Sequence, residues 1–211
     1  MNIVIPTPKM FQLKKGGAIA VPVLTDTQLT ILNKETRSCV FEKVKERTAT
    51  GVEQRFEVCK IFTEGSPFSV LAKNTAKALR KAFSPWNVMC APIEFPDLSL
   101  QRYPVSKDGE LAITPHKDYL SCINVVAVYL LRGKAPFYIC EDREGNGAAE
   151  VEAKPGDLIL MTSTGFGRSS QKRPFHYVGP VSEERLTFGM RQTVSLEGLS
   201  KYYDEEESGE K

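Results

Sequence analysis

The chain is short of the residues that most often announce chemistry. It has one tryptophan and only two histidines in 211 residues. Its five cysteines, Cys39, Cys59, Cys90, Cys122 and Cys140, are odd in number, irregularly spaced and form no C-x-x-C pair. That pattern argues against a zinc knuckle or a disulfide framework and fits reduced thiols. No apolar run approaches the ~20 residues that span a bilayer. The opening Met1-Asn2-Ile3-Val4-Ile5-Pro6 lacks the basic and long apolar regions of a secretory leader. Charge of one sign is missing too, since a net +2 demands no polyanionic partner. These absences predict a soluble, cytoplasmic protein whose length suits one compact domain.

What is present is mostly β patterning. The clearest helix starts at Ser66-Pro67, a capping serine followed by proline at the first helical position. From there Phe68, Leu71, Ala72, Leu79, Ala82 and Phe83 keep to one face, with Thr75 the single polar residue on the stripe. Lys73, Lys77, Arg80 and Lys81 fall elsewhere, as a solvated face would. Strands are expected at 39–44 and 52–62, then at 99–103, 123–131, 135–140, 149–153, 157–161, 175–178 and 185–194. Gly- and Pro-containing turns separate them, and no internal repeat is found. The expected class is mainly β with supporting helices (α+β), built as a sandwich or jelly roll. Residues 1–97 would supply strands and a helix packing on a core formed by 98–195. Residues 196–211 read as an acidic, disordered tail, with an interaction tail the less favoured alternative.

The two histidines are not scattered. His116 lies in Thr114-Pro115-His116-Lys117-Asp118 and His176 lies in Arg173-Pro174-Phe175-His176-Tyr177. An H-x-D pair with a distant histidine is the ligand pattern of a 2-His-1-carboxylate metal site, which keeps open positions on the ion. Residues two apart on an extended strand point the same way, so His116 and Asp118 share a face and Lys117 takes the other. The 57 residues from 119 to 175 hold enough strands and turns to return His176 beside them. H-x-D alone is a weak signal, and both histidines could serve structure only. Iron suits the open positions best, although Mn, Co or Ni would accept the same ligands.

Further motifs follow in order. Gln101-Arg102-Tyr103, Val128-Tyr129-Leu130, Lys154-Pro155-Gly156-Asp157-Leu158-Ile159-Leu160, His176-Tyr177-Val178-Gly179-Pro180-Val181 and Arg185 together resemble the Fe(II)/2-oxoglutarate-dependent dioxygenases, particularly their prolyl-hydroxylase branch. The resemblance spans roughly residues 98–194 and implies a double-stranded β-helix (cupin-like jelly-roll) core. It also implies iron held by His116, Asp118 and His176, with O₂ as cosubstrate. Arg185 would hold the far carboxylate of 2-oxoglutarate, and Tyr103 would donate a hydrogen bond to the cosubstrate. Chemistry supports the Arg185 assignment independently, because that carboxylate needs a buried cation and a guanidinium offers a planar fork. Thr187 shares the strand face of Arg185 and either helps clamp the carboxylate or packs across strands. Asn124 is a candidate ligand beside the triad.

The expected activity is oxidation of a substrate, with hydroxylation the leading outcome and succinate and CO₂ released. A cupin-like metalloenzyme that never uses 2-oxoglutarate is the alternative, with Arg185 binding the substrate's own carboxylate. A non-catalytic β-module is the third reading. Arg191 lies on the face of Arg185, and Arg-x₅-Arg is partly similar to the alkylation-repair demethylases of nucleic acids. Arg191 therefore contacts substrate or pairs with a core carboxylate. Arg168, Lys172 and Arg173 form a small basic group near the site, compatible with an anionic metabolite, a peptide or a nucleic acid. A small molecule is favoured over a protein side chain, and nucleic acid is not favoured, since no aromatic stacking platform accompanies the charges. The loop 165–170 is either a substrate lid or a plain connection. The first ~95 residues match no substrate-specific subfamily.

Overall fold

Two antiparallel sheets face each other, and the larger one carries the helices on its far side. The computed structural model describes residues 3–5, 7–60, 62–169 and 171–203. Along the chain come α1 (Thr7–Gly16), β1 (Ala18–Pro22), α2 (Asp26–Glu35), β2 (Glu42–Lys43), β3 (Glu57–Cys59) and α3 (Pro67–Phe83). Then follow β4 (Asp97–Tyr103), β5 (Ile113–His116), β6 (Cys122–Lys134), β7 (Phe137–Cys140), β8 (Ala149–Glu150), β9 (Asp157–Thr162), β10 (Phe175–Val178) and β11 (Glu183–Thr193). The larger sheet has the order β1-β9-β6-β11-β4-β3-β2 and the smaller one β5-β10-β7-β8.

Strand alternation divides the apolar side chains between two cores. On β11, Leu186, Phe188 and Met190 point to the helices, as do Val125, Ala127 and Tyr129 on β6. There they meet Phe68, Leu71, Leu79 and Phe83 of α3. The opposite parity on β6 and β9 (Val126, Ile159 and Met161) enters the space between the sheets, against Ile113, Phe137 and Val178 of the smaller one. Helix α3 matches its sequence pattern. Ser66 caps it, Pro67 begins it, and Thr75 is buried with its hydroxyl donating to the Leu71 carbonyl and 2.9 Å from Tyr129 Oη.

The N-terminal third does more than pack on this core. Its strands are shorter than the sequence suggested, yet the segment around them closes one side of the molecule. Arg55 N donates to Ala112 O and Thr114 N to Glu53 O, which ties residues 53–55 to the smaller sheet. Four residues on, Val58 and Cys59 pair with Gln101 and Leu100 of the larger sheet. One stretch of chain thus stitches both sheets together. Strand β1 adds to the other edge through β9. Helices α1 and α2 and strand β1 were not anticipated, although Thr25 and Gln28 form a capping box at α2 whose T-x-x-Q signal is legible in the sequence.

At the C-terminus, Leu199–Tyr202 forms a 3₁₀ turn with Leu199 buried, so ordered packing continues beyond residue 196. The acidic residues from 204 onward lie outside the described residues. Among the described residues no helix is long and apolar enough to cross a membrane.

Candidate functional site

His116 ends β5 and His176 lies within β10, and the two are direct partners in the β5–β10 register. Their rings lie 4.3 Å apart, centroid to centroid, on the side facing the larger sheet. Each Nδ1 lies beside a backbone carbonyl, His116 at 2.9 Å from Thr114 O and His176 at 3.2 Å from Pro174 O. A carbonyl only accepts, so each Nδ1 carries its proton and each Nε2 keeps a lone pair for a ligand. Backbone-anchored imidazoles of this kind are oriented as metal ligands are.

Asp118 follows two residues after His116, just beyond the end of β5. Its carboxylate is buried: Oδ1 accepts from Arg191 Nε at 3.1 Å, and Oδ2 has no hydrogen-bond partner. Oδ2 stands 3.6 Å from His176 Nε2. Burial pushes the Asp118 carboxyl pKa up, but Arg191, His176 and His116 outweigh it and hold the group at about 2. Burial, aided by His176, lowers His116 to about 4, so this imidazole is neutral near pH 7. An ionised carboxylate beside the neutral His116 imidazole is the kind of protonation state that a dication needs.

Among the described residues no group of three or more His, Cys, Asp or Glu side chains stands close enough to hold a metal ion as placed. Two donor atoms 3.6 Å apart and each ~2.1 Å from an ion would subtend roughly 120°. Seating an octahedral ion therefore needs the pair to close by roughly half an ångström. The orphaned Asp118 Oδ2 and the two presented Nε2 atoms suit that ion.

Further along β11, on the same face as Arg191, Arg185 is buried to 2% exposure. Its guanidinium carbon lies 5.1 Å from the centre of the Tyr103 ring, and its Nε has no hydrogen-bond partner. No acidic group among the described residues forms an ion pair with it. Burial lowers its pKa, with Tyr103 opposing. An unpaired buried cation is costly, which marks the place for an anion. The register sets Arg185 against Tyr103 and Thr187 against Gln101. Gln101 was missed in the sequence, although it shares parity with Tyr103. Its side-chain oxygen accepts from Tyr103 Oη at 2.9 Å and from Thr187 Oγ1 at 3.4 Å, linking the two hydroxyls beside Arg185.

Three sequence candidates do not join this group. Asn124 adopts φ of +61°, which breaks strand alternation and turns its side chain away. Its amide oxygen accepts from Cys90 N at 2.9 Å, and its nitrogen donates to Ala91 O and Gln192 Oε1. That side chain is structural. Arg173 donates to the backbone carbonyl of Asp118 at 2.9 Å, bracing the loop rather than facing a ligand. Arg168 reaches toward Lys201 O instead. The loop that carries it is anchored near its start by buried Phe166, whose ring lies 5.6 Å from that of Phe83.

A cavity of about 260 Å³ opens onto His116, Asp118 and Arg191. The segment 44–60 walls it on one side, and Asp97, Ser99 and Gln101 of β4 wall it on the other.

Comparison with protein-family models and with curated protein sequences finds no match. Solved structures do match, along nearly the whole chain. A Pseudomonas putida prolyl-4-hydroxylase aligns with a TM-score of 0.64 at 17% identity, over 90% of this chain and 100% of its own. A Trichoplax adhaerens prolyl hydroxylase, solved with a hypoxia inducible factor peptide, gives 0.60 at 16% identity over 90% and 88%. Neurospora crassa T7H, solved with alpha-KG and thymine, gives 0.62 at 9% identity over 89% and 79%. The fold is a double-stranded β-helix. Its larger sheet supplies Arg185 and Arg191 and its smaller sheet the histidine pair, so the predicted core class holds.

Proposed function

We propose that the chain is an Fe(II)- and 2-oxoglutarate-dependent oxygenase that oxidises a substrate C–H bond, with hydroxylation as the leading outcome. The observation that carries this reading is Arg185, a buried guanidinium with no acidic partner among the described residues, in the same β-helix as the paired histidines. His116, Asp118 and His176 would hold the iron. Arg185 would take the distal carboxylate of 2-oxoglutarate as a charge-assisted pair, flanked by Tyr103 and Thr187, whose hydroxyl protons go to Gln101 rather than to the carboxylate. Gln101 holds both hydroxyls in place through one amide oxygen.

When bound, iron and 2-oxoglutarate supply the oxidative chemistry: O₂ is reduced, the keto acid becomes succinate and CO₂, and the substrate is oxidised. This chain's residues handle charge and geometry. Arg191 keeps Asp118 ionised and engages one of its oxygens. The Thr114 and Pro174 carbonyls fix both imidazole tautomers. The wall 44–60 shields the open side from water, and the substrate would enter by the cavity it borders.

The test adds Fe(II) and 2-oxoglutarate without O₂ and looks for the weak visible charge-transfer band of their chelate, then measures succinate after O₂ is admitted. Both signals are expected in the wild type, and neither in His116→Ala. Tight metal binding without the band would favour the metalloenzyme that does not use 2-oxoglutarate.

A further inference from the structure

The charged side chains that line the cavity pair off with one exception. Lys60 lies 3.6 Å from Asp97, and Arg191 Nε donates to Asp118 at 3.1 Å. Lys117 is left over. It stands between His116 and Asp118 in the chain, and its ammonium lies 4.6 Å from the centre of the Phe175 ring. Lys117 and Phe175 take the parity opposite to His116 and His176 on their strands, so the ammonium sits at the rim of the cavity and not on its floor.

Among the described residues no acidic group and no hydrogen-bond acceptor meets that ammonium. A ring face attracts a cation more weakly than a carboxylate does, and it leaves the three N–H donors free. Arg173, braced on the Asp118 carbonyl, is near enough to act on Lys117 as a second like charge. Two cations at an entrance with no acid between them draw anions to it. Inside the rim the lining turns neutral, with the apolar Val52, Phe56, Val58 and Ile113 beside the Thr50 and Ser99 hydroxyls. The space of about 260 Å³ holds a small organic body.

We propose that the substrate is a small organic acid, with its carboxylate or phosphate held at the rim by Lys117 and its uncharged, C–H-bearing part inside the cavity. The proposal rests on the oxygenase reading for the identity of the site and deepens it by naming the substrate class and the residue that selects it. An ammonium is a compact point charge with rotatable donors, so it takes either anion without demanding a forked partner. The anion stays at the wet edge and keeps part of its hydration, while the apolar body gives up water to the lining. A neutral analogue buries the same body and leaves Lys117 without a partner, which is the basis of discrimination.

The full chain is loaded with Mn(II) and saturating 2-oxoglutarate, which occupies Arg185. Three probes with one ring in common are then titrated by NMR: phenylacetate, phenyl phosphate and phenylacetamide. Mn(II)-induced relaxation of the ring protons reports approach to the metal. At least one acid is expected to bind about tenfold tighter than the amide, and the tighter acid names the anion. That preference should shrink as NaCl is raised from about 0.05 M to about 0.5 M, because the rim is open to solvent. Lys117→Met is expected to bring acid and amide within about twofold of each other, while Lys117→Arg keeps the preference. The 2-oxoglutarate thermal shift, intact in both variants, separates recognition at the rim from folding and cosubstrate binding. An amide that binds as tightly as both acids, or no acid approaching the metal, would overturn the proposal. So would a full preference surviving in Lys117→Met, since the anion would then be bound elsewhere. Absence of the Mn(II) and 2-oxoglutarate thermal shift in the wild type would instead sink the oxygenase reading itself.

Discussion

Arg191 Nε donates to Asp118 Oδ1 at 3.1 Å, which leaves Asp118 Oδ2 as the oxygen facing His176. The guanidinium both neutralises a buried carboxylate and decides which of its oxygens is available to an ion. Arg191→Met keeps the apolar stem but removes the countercharge. A buried ion stripped of its partner costs about 3 kcal/mol, and that loss is expected in urea unfolding of the metal-free protein. With Oδ1 released, Mn(II) affinity measured by EPR is expected to fall about tenfold. Wild-type values for both quantities would show that Arg191 is a bystander.

Arg185 presents the opposite case, a buried cation with no acidic partner among the described residues. Arg185→Met removes a charge that Tyr103, but no acidic group among the described residues, offsets in the metal-free fold. The variant is expected to match or exceed the wild type in stability, by about 1 kcal/mol. In the same variant 2-oxoglutarate affinity should fall at least about a hundredfold, while Mn(II) affinity holds. A marked loss of stability with unchanged 2-oxoglutarate binding would make Arg185 a structural residue and remove the anchor.

The sequence carried the site unevenly, and the reasons are physical. With only two histidines, spacing alone singled out His116 and His176, but their register partnership is a long-range pairing that no local pattern encodes. Parity placed Arg185, Thr187 and Arg191 on one face, because strand alternation is local. That Arg191 engages Asp118, 73 residues away, is not local and stayed open between two roles. Gln101 was legible by the same parity as Tyr103, yet its role depends on Thr187 of a neighbouring strand. Asn124 misled because alternation assumes β backbone throughout, and one left-handed residue reverses it. The wall 44–60 was invisible as a wall, since it closes the cup by pairing at once with β4 and with residues 112–114.

Asn124 offers a clean separation of structural from ligand roles. Its side chain satisfies Cys90 N, Ala91 O and Gln192 Oε1 in a fully buried setting, and its φ is +61°. Asn124→Ala strands those groups and puts a less tolerant residue in the left-handed region, for an expected loss of about 4 kcal/mol. Asn124→Gly should recover about 1 kcal/mol of that, because glycine accepts the backbone but not the hydrogen bonds. For either variant, below its unfolding temperature, calorimetric affinity for 2-oxoglutarate with Mn(II) is expected within about twofold of wild type. A large drop in affinity without loss of stability would return Asn124 to the ligand set.

In the metal-free protein the half-buried His116 sets an acid limit. Its pKa is lowered from 6.5 to about 4, by burial first and then by His176. An unfolded chain therefore binds a proton at this residue below pH 6.5 that the folded chain refuses until about 4. Stability must fall across that window as pH drops, by at most about 3 kcal/mol from this group. Asp118 acts in a separate, more acidic range: its carboxyl is held at about 2 against 3.8, so its contribution is intact above 3.8 and fades only below that. His116→Gln should flatten urea-derived stability between pH 6.5 and 4 and leave the steeper loss below pH 4 in place. Saturating Mn(II) should also flatten the upper window in the wild type, since an ion on Nε2 keeps the imidazole unprotonated until the metal is displaced. A wild-type profile that is level from pH 6.5 to 4 without metal would mean that His116 is solvated and free to protonate, and so is not set as a ligand.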